Sequence, residues 1–300
     1  MHDSPLEGRT AVVTGAARGV GAALARELAR RGARLALIGH EEAALRSVAA
    51  SLPTPSLAVE ADVTDGAALE RAAGAVRSRL GPPSVVVANA GIAEGGPFAS
   101  ADMASWRRVI DVNVTGSALT ARAFLPDLME SAGYYLQIAS LASIGASPLM
   151  SAYCASKAGA EAFAHALRAE TAHRGVAVGI AYLNWTDTDM IRDADRHTVL
   201  RELRGNMPPP ARRVFSAEFV AARLATAVER RRTAVYVPAS LRLVQVTRAA
   251  LPALVLRRSR RVLPRLEAAD SLRPTGPLGA GGRADETAAA ARRGGAPGGR

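Results

Sequence analysis

The sequence predicts an α/β protein built on a doubly wound parallel sheet, and three observations carry that expectation. Short apolar runs alternate with longer stretches of helical periodicity from residue 10 to residue 237. The runs are apolar along their length, as parallel strands covered on both faces require. A glycine-containing turn lies between the first run and the first helical stretch, where a doubly wound sheet opens its ligand crevice.

Taken in order, residues 10–14 form the first strand and residues 20–31 the first helix. Strand 34–38 and helix 41–52 follow, then strand 56–60, helix 65–80, strand 84–88 and a long helical stretch at 103–131. Strand 134–139, helix 152–173, strand 176–182, helix 217–230 and strand 234–237 complete a seven-stranded single domain over residues 1–240. Two regions fall outside the alternation. Residues 184–213 are polar, rich in Arg and Asp, and end in Pro208-Pro209-Pro210; a connection of that length is expected to be a lid or binding loop. Residues 241–268 mix leucine and valine with arginine, are interrupted by Pro252 and Pro264, and are expected to form a helical extension. Residues 269–300 are dominated by Gly, Pro, Ala and Arg and read as a disordered tail.

Charge is distributed unevenly. The net charge of +11 divides into +8 over residues 241–300, with 12 Arg against Glu267, Asp270, Asp285 and Glu286, and only +3 over the rest. The body is nearly balanced, which removes most of the support for a nucleic-acid-binding protein. The single cysteine, Cys154, excludes an internal disulfide and any cysteine-based metal cluster, and no metal site is expected. The N-terminal residues lack the apolar core of a signal peptide and no apolar run nears the roughly 18 residues of a membrane span, so a cytoplasmic location is expected.

Two stretches carry chemistry. In Thr14-Gly15-Ala16-Ala17-Arg18-Gly19-Val20-Gly21 the glycines let backbone approach a pyrophosphate, which would sit on the N-terminus of the following helix. In Tyr153-Cys154-Ala155-Ser156-Lys157 a phenol and the only lysine among 38 basic residues stand four apart, on one face of a helix. A nearby ammonium stabilises the phenolate and would pull the Tyr153 pKa below about 10, suiting it to proton transfer. Taken alone, the pentapeptide is better explained by a surface tyrosine next to a surface lysine.

With these motifs in order, residues 8–240 resemble the classical short-chain dehydrogenase/reductase (SDR) family. The glycine loop reads T-G-x-x-x-G-x-G, and Asp62-Val63 matches the family's adenine-contacting acid. Asn89-Ala90-Gly91 matches its N-A-G motif, with Ala88 where an asparagine usually precedes it. Asn113 matches the helix asparagine, and Ser140 precedes Tyr153 by the family's thirteen positions (153 − 140). The resemblance implies a Rossmann-type fold and hydride transfer between a nicotinamide cofactor and a carbonyl or secondary alcohol. It assigns Tyr153 the proton, Ser140 a hydrogen bond to the substrate oxygen, Lys157 the Tyr153 pKa and the nicotinamide ribose, and Asn113 a relay water. It also implies a homodimer or homotetramer.

The resemblance places Gly15, Arg18, Gly19, Val20 and Gly21 at the cofactor pyrophosphate, and Thr186 and Thr188 at the carboxamide, although Leu183-Asn184 replaces the usual Pro-Gly. At the end of the second strand Gly39 stands where NAD-preferring members carry an acid, and His40 where NADP-binding members often carry Arg. NADP is therefore favoured over NAD, with Glu41 and Glu42 counting against it. Residues 141–149, Trp185 and the stretch after Met190 should line the substrate pocket; Ile144, Pro148, Leu149, Trp185 and Met190 would give an apolar wall for a hydrophobic substrate. Two alternatives stay open: a non-catalytic NAD(P)-binding regulatory protein on this fold, and a 3-oxoacyl thioester reductase whose loop arginines meet an acyl-carrier or CoA phosphate. The extension is expected to dock on the domain or on a partner subunit, with peripheral contact to an anionic membrane as the alternative.

Overall fold

All seven apolar runs are strands of one parallel sheet in the computed structural model, which describes residues 4–208, 211–269 and 272–294. The chain runs β1 (Thr10–Thr14), α1 (Gly19–Arg30), β2 (Arg34–Gly39), α2 (Glu42–Ala50), β3 (Ser56–Glu60), α3 (Gly66–Leu80) and β4 (Pro83–Ala88). Next come the two-residue β5 (Glu94–Gly95), α4 (Met103–Ile110), a π-helical turn (Asp111–Thr115) and α5 (Gly116–Glu130). After β6 (Tyr134–Ser140) stand the short α6 (Leu141–Ile144), α7 (Ser151–Thr171), β7 (Ala177–Leu183) and β8 (Thr186–Asp187). The remainder is α8 (Asp189–Ala194), α9 (Thr198–Gly205), β9 (Phe215–Ser216), α10 (Ala217–Glu229), β10 (Ala234–Val237), α11 (Leu241–Val246), α12 (Leu251–Ala268), β11 (Gly276–Pro277) and α13 (Gly279–Gly294).

The sheet order is β10-β7-β6-β4-β1-β2-β3. The winding direction reverses between β1 and β4, and that switch point opens a crevice above the carboxyl ends of the strands. Strand alternation sends successive side chains to opposite faces. Val13, Leu35, Leu37, Val85 and Val87 pack on α1, α2 and α10, while Val12, Ile38, Val86 and Tyr135 pack on α3, α5 and α7. Helix starts are fixed where the sequence supplies a capping side chain. Asp65 accepts from Ala68 N at 3.0 Å ahead of α3, and Asp102 accepts from Ala104 N and Ser105 N at 3.1 Å ahead of α4.

Three expectations are corrected. The helix at 103–131 is not continuous: a π-helical turn at Asp111–Thr115 interrupts it and carries Asn113. Such turns insert an extra residue into a helix and are common at functional sites. The polar stretch 184–213 is largely ordered as β8, α8 and α9, because its arginines and aspartates pair within it, as in Arg204 Nη2 to Asp195 Oδ2 at 2.6 Å; Pro209 and Pro210 lie outside the described residues.

The third correction concerns the expected disordered tail, which from residue 272 contributes β11 and α13. β11 pairs antiparallel with β5. Leu278 is buried, and Asp285 is buried against Arg108. Composition suggested disorder because glycine is frequent there, but one glycine serves fit. At Gly279 φ is +77°, and a Cβ would stand 2.7 Å from Met190 Cα and N, so only glycine passes. Residues 270–271 and 295–300 lie outside the described residues.

The extension is held to the domain by a buried carboxylate. Glu161 on α7 accepts from Tyr182 Oη at 2.8 Å, Arg248 Nη1 at 2.9 Å and Gln245 Nε2 at 3.2 Å. α12 runs through Pro264, and its inner stripe of Val262, Leu263 and Leu266 joins an apolar cluster with Met150, Met190 and Leu200.

Candidate active site

The glycine turn lies at the switch point and its conformation dictates its composition. Gly15 and Gly19 have φ of +63° and +54°, in the left-handed region. A Cβ at Gly15 would stand 2.8 Å from Ala90 Cα, and one at Gly21 only 2.2 Å from Gly15 O, so backbone atoms fill the space a side chain would need. Asn89 ties the turn to β4 by donating from Nδ2 to Thr14 O at 2.9 Å and Gly15 O at 3.2 Å. Thr14 Oγ1 accepts from Asn89 N and Ala90 N, both at 3.1 Å. Arg18, at the N-cap of α1, makes no side-chain cap hydrogen bond. The first amides of α1 therefore face the crevice, as an anion site requires.

Gly15, Arg18, Gly19, Val20, Gly21, Gly39, His40, Asp62, Val63, Asn89, Ala90 and Gly91 line one continuous crevice with Ser140, Tyr153, Lys157, Thr186 and Thr188. Asn113 stands immediately behind it: a Cβ at Gly91 would lie 3.1 Å from Asn113 Oδ1 and 3.3 Å from Lys157 Nζ. The residues singled out in the sequence thus come together from widely separated segments of chain.

At the far end, Arg18 is engaged by Glu41, with Nε to Oε2 at 3.1 Å, and lies 3.5 Å from Asp189 Oδ2. The His40 Nε2 atom is buried without a hydrogen-bond partner among the described residues. Asp62 accepts from Thr64 N at 2.9 Å and from Arg108 Nη2 at 2.8 Å. Burial alone would raise its carboxyl, but the Thr64 amide and Arg108 outweigh it and hold Asp62 below the usual carboxylate range.

At the near end, Ser140 terminates β6 and its Oγ accepts from Ala142 N at 3.1 Å. Lys157 is buried, donates to Ile138 O at 3.2 Å, and lies 5.7 Å from the centre of the Tyr153 ring. Burial lowers the Lys157 ammonium to a pKa of about 8. The expected lowering of Tyr153 is not found. Burial pushes the phenol above its ordinary value, and the Ser140 hydroxyl only partly offsets that. Tyr153 packs into the apolar cluster under α12, and a low-dielectric surrounding favours the neutral phenol. Asn113 holds the neighbouring loop, accepting from Ile92 N and donating to Ile92 O at 2.9 Å each and to Ser156 Oγ at 2.8 Å.

The replacement of Pro-Gly by Leu183-Asn184 has a structural account. Asn184 Nδ2 donates to Ala211 O at 3.1 Å, tying the end of β7 to the far side of the loop, and Thr186 Oγ1 donates to Asn184 O at 3.1 Å. Thr188 packs against Gly19, whose Cβ would stand 3.1 Å from Thr188 Cγ2. The expected apolar wall is partly corrected: Ile144 belongs to the core under the sheet. Leu149 and Met190 do join the apolar cluster around Tyr153, together with Val262, Leu263 and Leu266 of α12.

Sequence reasoning missed Arg108, which links Asp62 to Asp285 at 2.8 and 2.6 Å, and the tail residues Leu278, Gly279, Gly281, Gly282 and Asp285 that line the crevice. Neither Arg108 nor the tail falls in a motif. Thr14 carried a signal, as the threonine of the glycine motif. The donor set fits a dinucleotide: a backbone cradle with no room for Cβ atoms, an open helix N-terminus, and an unpartnered His40 nitrogen at one end with a cationic lysine at the other.

The family model described as short chain dehydrogenase matches residues 9–198. The chain belongs to the short-chain dehydrogenase family. A galactitol 2-dehydrogenase (L-tagatose-forming) of Cereibacter sphaeroides is 36% identical over 223 residues, covering 73% of this chain and 87% of that one. A 1-deoxy-11-beta-hydroxypentalenate dehydrogenase of Streptomyces exfoliatus is 36% identical over 199 residues, covering 64% and 71%. Among solved structures, a short chain dehydrogenase/reductase from Burkholderia phymatum in complex with NAD superposes with a TM-score of 0.72 at 27% identity, covering 85% of this chain and 97% of that one. In this short-chain dehydrogenase the glycine turn, Ser140, Tyr153 and Lys157 all fall in the matched region, whereas β10 and α10 to α13 lie beyond residue 198.

Proposed function

We propose that this short-chain dehydrogenase is an NAD(P)-dependent oxidoreductase that interconverts a carbonyl and a secondary alcohol on an apolar substrate. The observation that carries the reading is the convergence of Ser140, Tyr153 and Lys157 at one end of the glycine-lined crevice, with Asn113 directly behind. The glycine turn and the amides of α1 receive the pyrophosphate, Asp62 and Val63 the adenine, and Asn89-Ala90-Gly91, Lys157, Thr186 and Thr188 the nicotinamide half. When bound, the nicotinamide supplies or accepts the hydride.

The protein's own groups handle the proton and the developing charge. Tyr153, kept neutral by burial, is the acid form that a carbonyl oxygen needs during reduction, and it takes the proton back during oxidation. Ser140 donates a hydrogen bond to the same oxygen as charge develops on it. Lys157 holds a positive charge beside the phenol, and Asn113 with Gly91 shapes the space behind it, where a relay water fits the role. Leu149, Met190, Val262, Leu263 and Leu266 make the wall beside Tyr153 apolar, which supports a hydrophobic substrate.

NADP is the favoured cofactor form. Gly39 leaves the end of β2 without a carboxylate, and His40 and Arg18 stand beside it, although Arg18 must be drawn from Glu41. A homodimer or homotetramer in the cytoplasm completes the proposal. A regulatory, non-catalytic role is disfavoured because Tyr153 and Lys157 are both retained. A thioester reductase is disfavoured because Arg192, Arg196 and Arg204 are paired with Asp187, Asp189, Asp193 and Asp195.

A panel of ketones and secondary alcohols, followed by the absorbance of reduced cofactor, tests the reading. Ser140→Ala should lower turnover of the best substrate about 10²–10³-fold with cofactor affinity kept. Native turnover in Ser140→Ala would refute this site.

A further inference from the structure

The C-terminal extension presents a surface that the oxidoreductase chemistry does not use. α12 turns residues 251, 255, 259, 262, 263 and 266 toward the domain, leaving its opposite face to solvent. Leu254 stands on that face among the arginines and Leu256 on the flank of the helix, 61% and 54% exposed, since residues two apart on a helix do not share a face. α11, just ahead of it in the chain, adds Leu243 and Val246, 71% and 78% exposed. These four are half of the eight large apolar side chains exposed among the described residues, gathered within 14 positions of chain. Scattered exposed apolar side chains are ordinary, but a concentration on two successive helices marks a contact surface.

The charges around this strip select its occupant. Residues 241–268 carry seven arginines and one acid, Glu267. Arg248 is spent on Glu161, whereas Arg242, Arg257, Arg258, Arg260, Arg261 and Arg265 are exposed. A second copy meeting this face would bring like charge onto like charge, and an electroneutral partner would leave the arginines without counter-ions. An anionic lipid surface satisfies both parts at once: leucine and valine enter the acyl boundary while guanidinium groups pair with headgroup phosphates. No helix among the described residues is long and apolar enough to cross a membrane, which leaves a helix lying in the interface.

We propose that α11 and α12 form a peripheral membrane-docking element that binds the surface of a bilayer containing anionic phospholipid. The docking element is held to the catalytic domain by Glu161, so it carries the domain with it.

Co-sedimentation of the full chain with phosphatidylcholine vesicles, with and without phosphatidylglycerol, tests the proposal. Binding is expected only with phosphatidylglycerol and should fall as salt rises. Each exposed arginine replaced by glutamine, taken from Arg257, Arg258, Arg260 and Arg261, should weaken partitioning about fivefold. The pair Leu254→Ser and Leu256→Ser should release the protein from vesicles at unchanged cofactor affinity, which reports an intact fold. Protein left in the supernatant with phosphatidylglycerol present would overturn the proposal. So would equal binding to both vesicle types, or a size-exclusion profile in which the leucine variant breaks up a self-associated species while vesicle binding is nil.

Discussion

Burial acts on Tyr153 and Lys157 in opposite directions: it raises the phenol and lowers the ammonium to about 8, because each group is driven toward its neutral form. The folded value of Lys157 lies below its ordinary 10.5, so its charge costs stability below about pH 8, and stability rises with pH between the two values. The sign for activity is opposite, since the proposed carbonyl reduction would use the charged lysine. The pH profile of kcat/KM for reduction should fall through a single proton near pH 8, and a rate flat across that range would contradict the role of Lys157. At the other end of the crevice, Glu41 holds Arg18 and would compete for it with the 2′-phosphate of the proposed NADP. Glu41→Gln should raise NADP affinity relative to NAD roughly five- to tenfold, in line with removing one nearby like charge, as read by titration of both cofactors. An unchanged ratio would separate Arg18 from cofactor choice.

Elements differ in how legible they are. Strands of the parallel sheet announce themselves as mainly apolar runs, so the buried Thr10–Thr14 and the partly buried edge strands Ser56–Glu60 and Ala234–Val237 are read at their observed bounds. The π-helical turn at Asp111–Thr115 leaves no mark in helical periodicity, since it follows from what Asn113 bonds across space to Ile92. The tail misleads for a related reason. Its glycines look like disorder in composition, but Gly279 is needed for contact with Met190, and Asp285 acquires meaning only beside Arg108. Motif residues could be found because spacing along the chain encodes them, whereas Arg108 and Asp285 lie 177 positions apart. Asp285→Ala should loosen α13 by about 1–3 kcal/mol, the cost of removing a partner from a buried charge. Hydrogen exchange should then rise in α13 and stay unchanged in α1; unaltered protection of α13 would mean that the ion pair does not hold the tail.

At the scale of the molecule, one sheet sets the crevice and the segments after it finish the site. The body places the glycine turn and the group Ser140, Tyr153 and Lys157 along one cleft, while α12 closes the apolar side and α13 borders the crevice. The uneven charge seen in the sequence then separates two parts of the fold, a nearly neutral catalytic body and a basic extension whose exposed face looks outward. These parts are proposed to serve hydride transfer with Tyr153 as the proton donor and acceptor. Tyr153→Phe keeps the ring and its packing and removes only the hydroxyl. Turnover of this variant, measured with cofactor affinity on the same preparation, should fall by at least 10²–10⁴-fold with affinity within about twofold of the native protein. Near-native turnover in Tyr153→Phe would contradict the account.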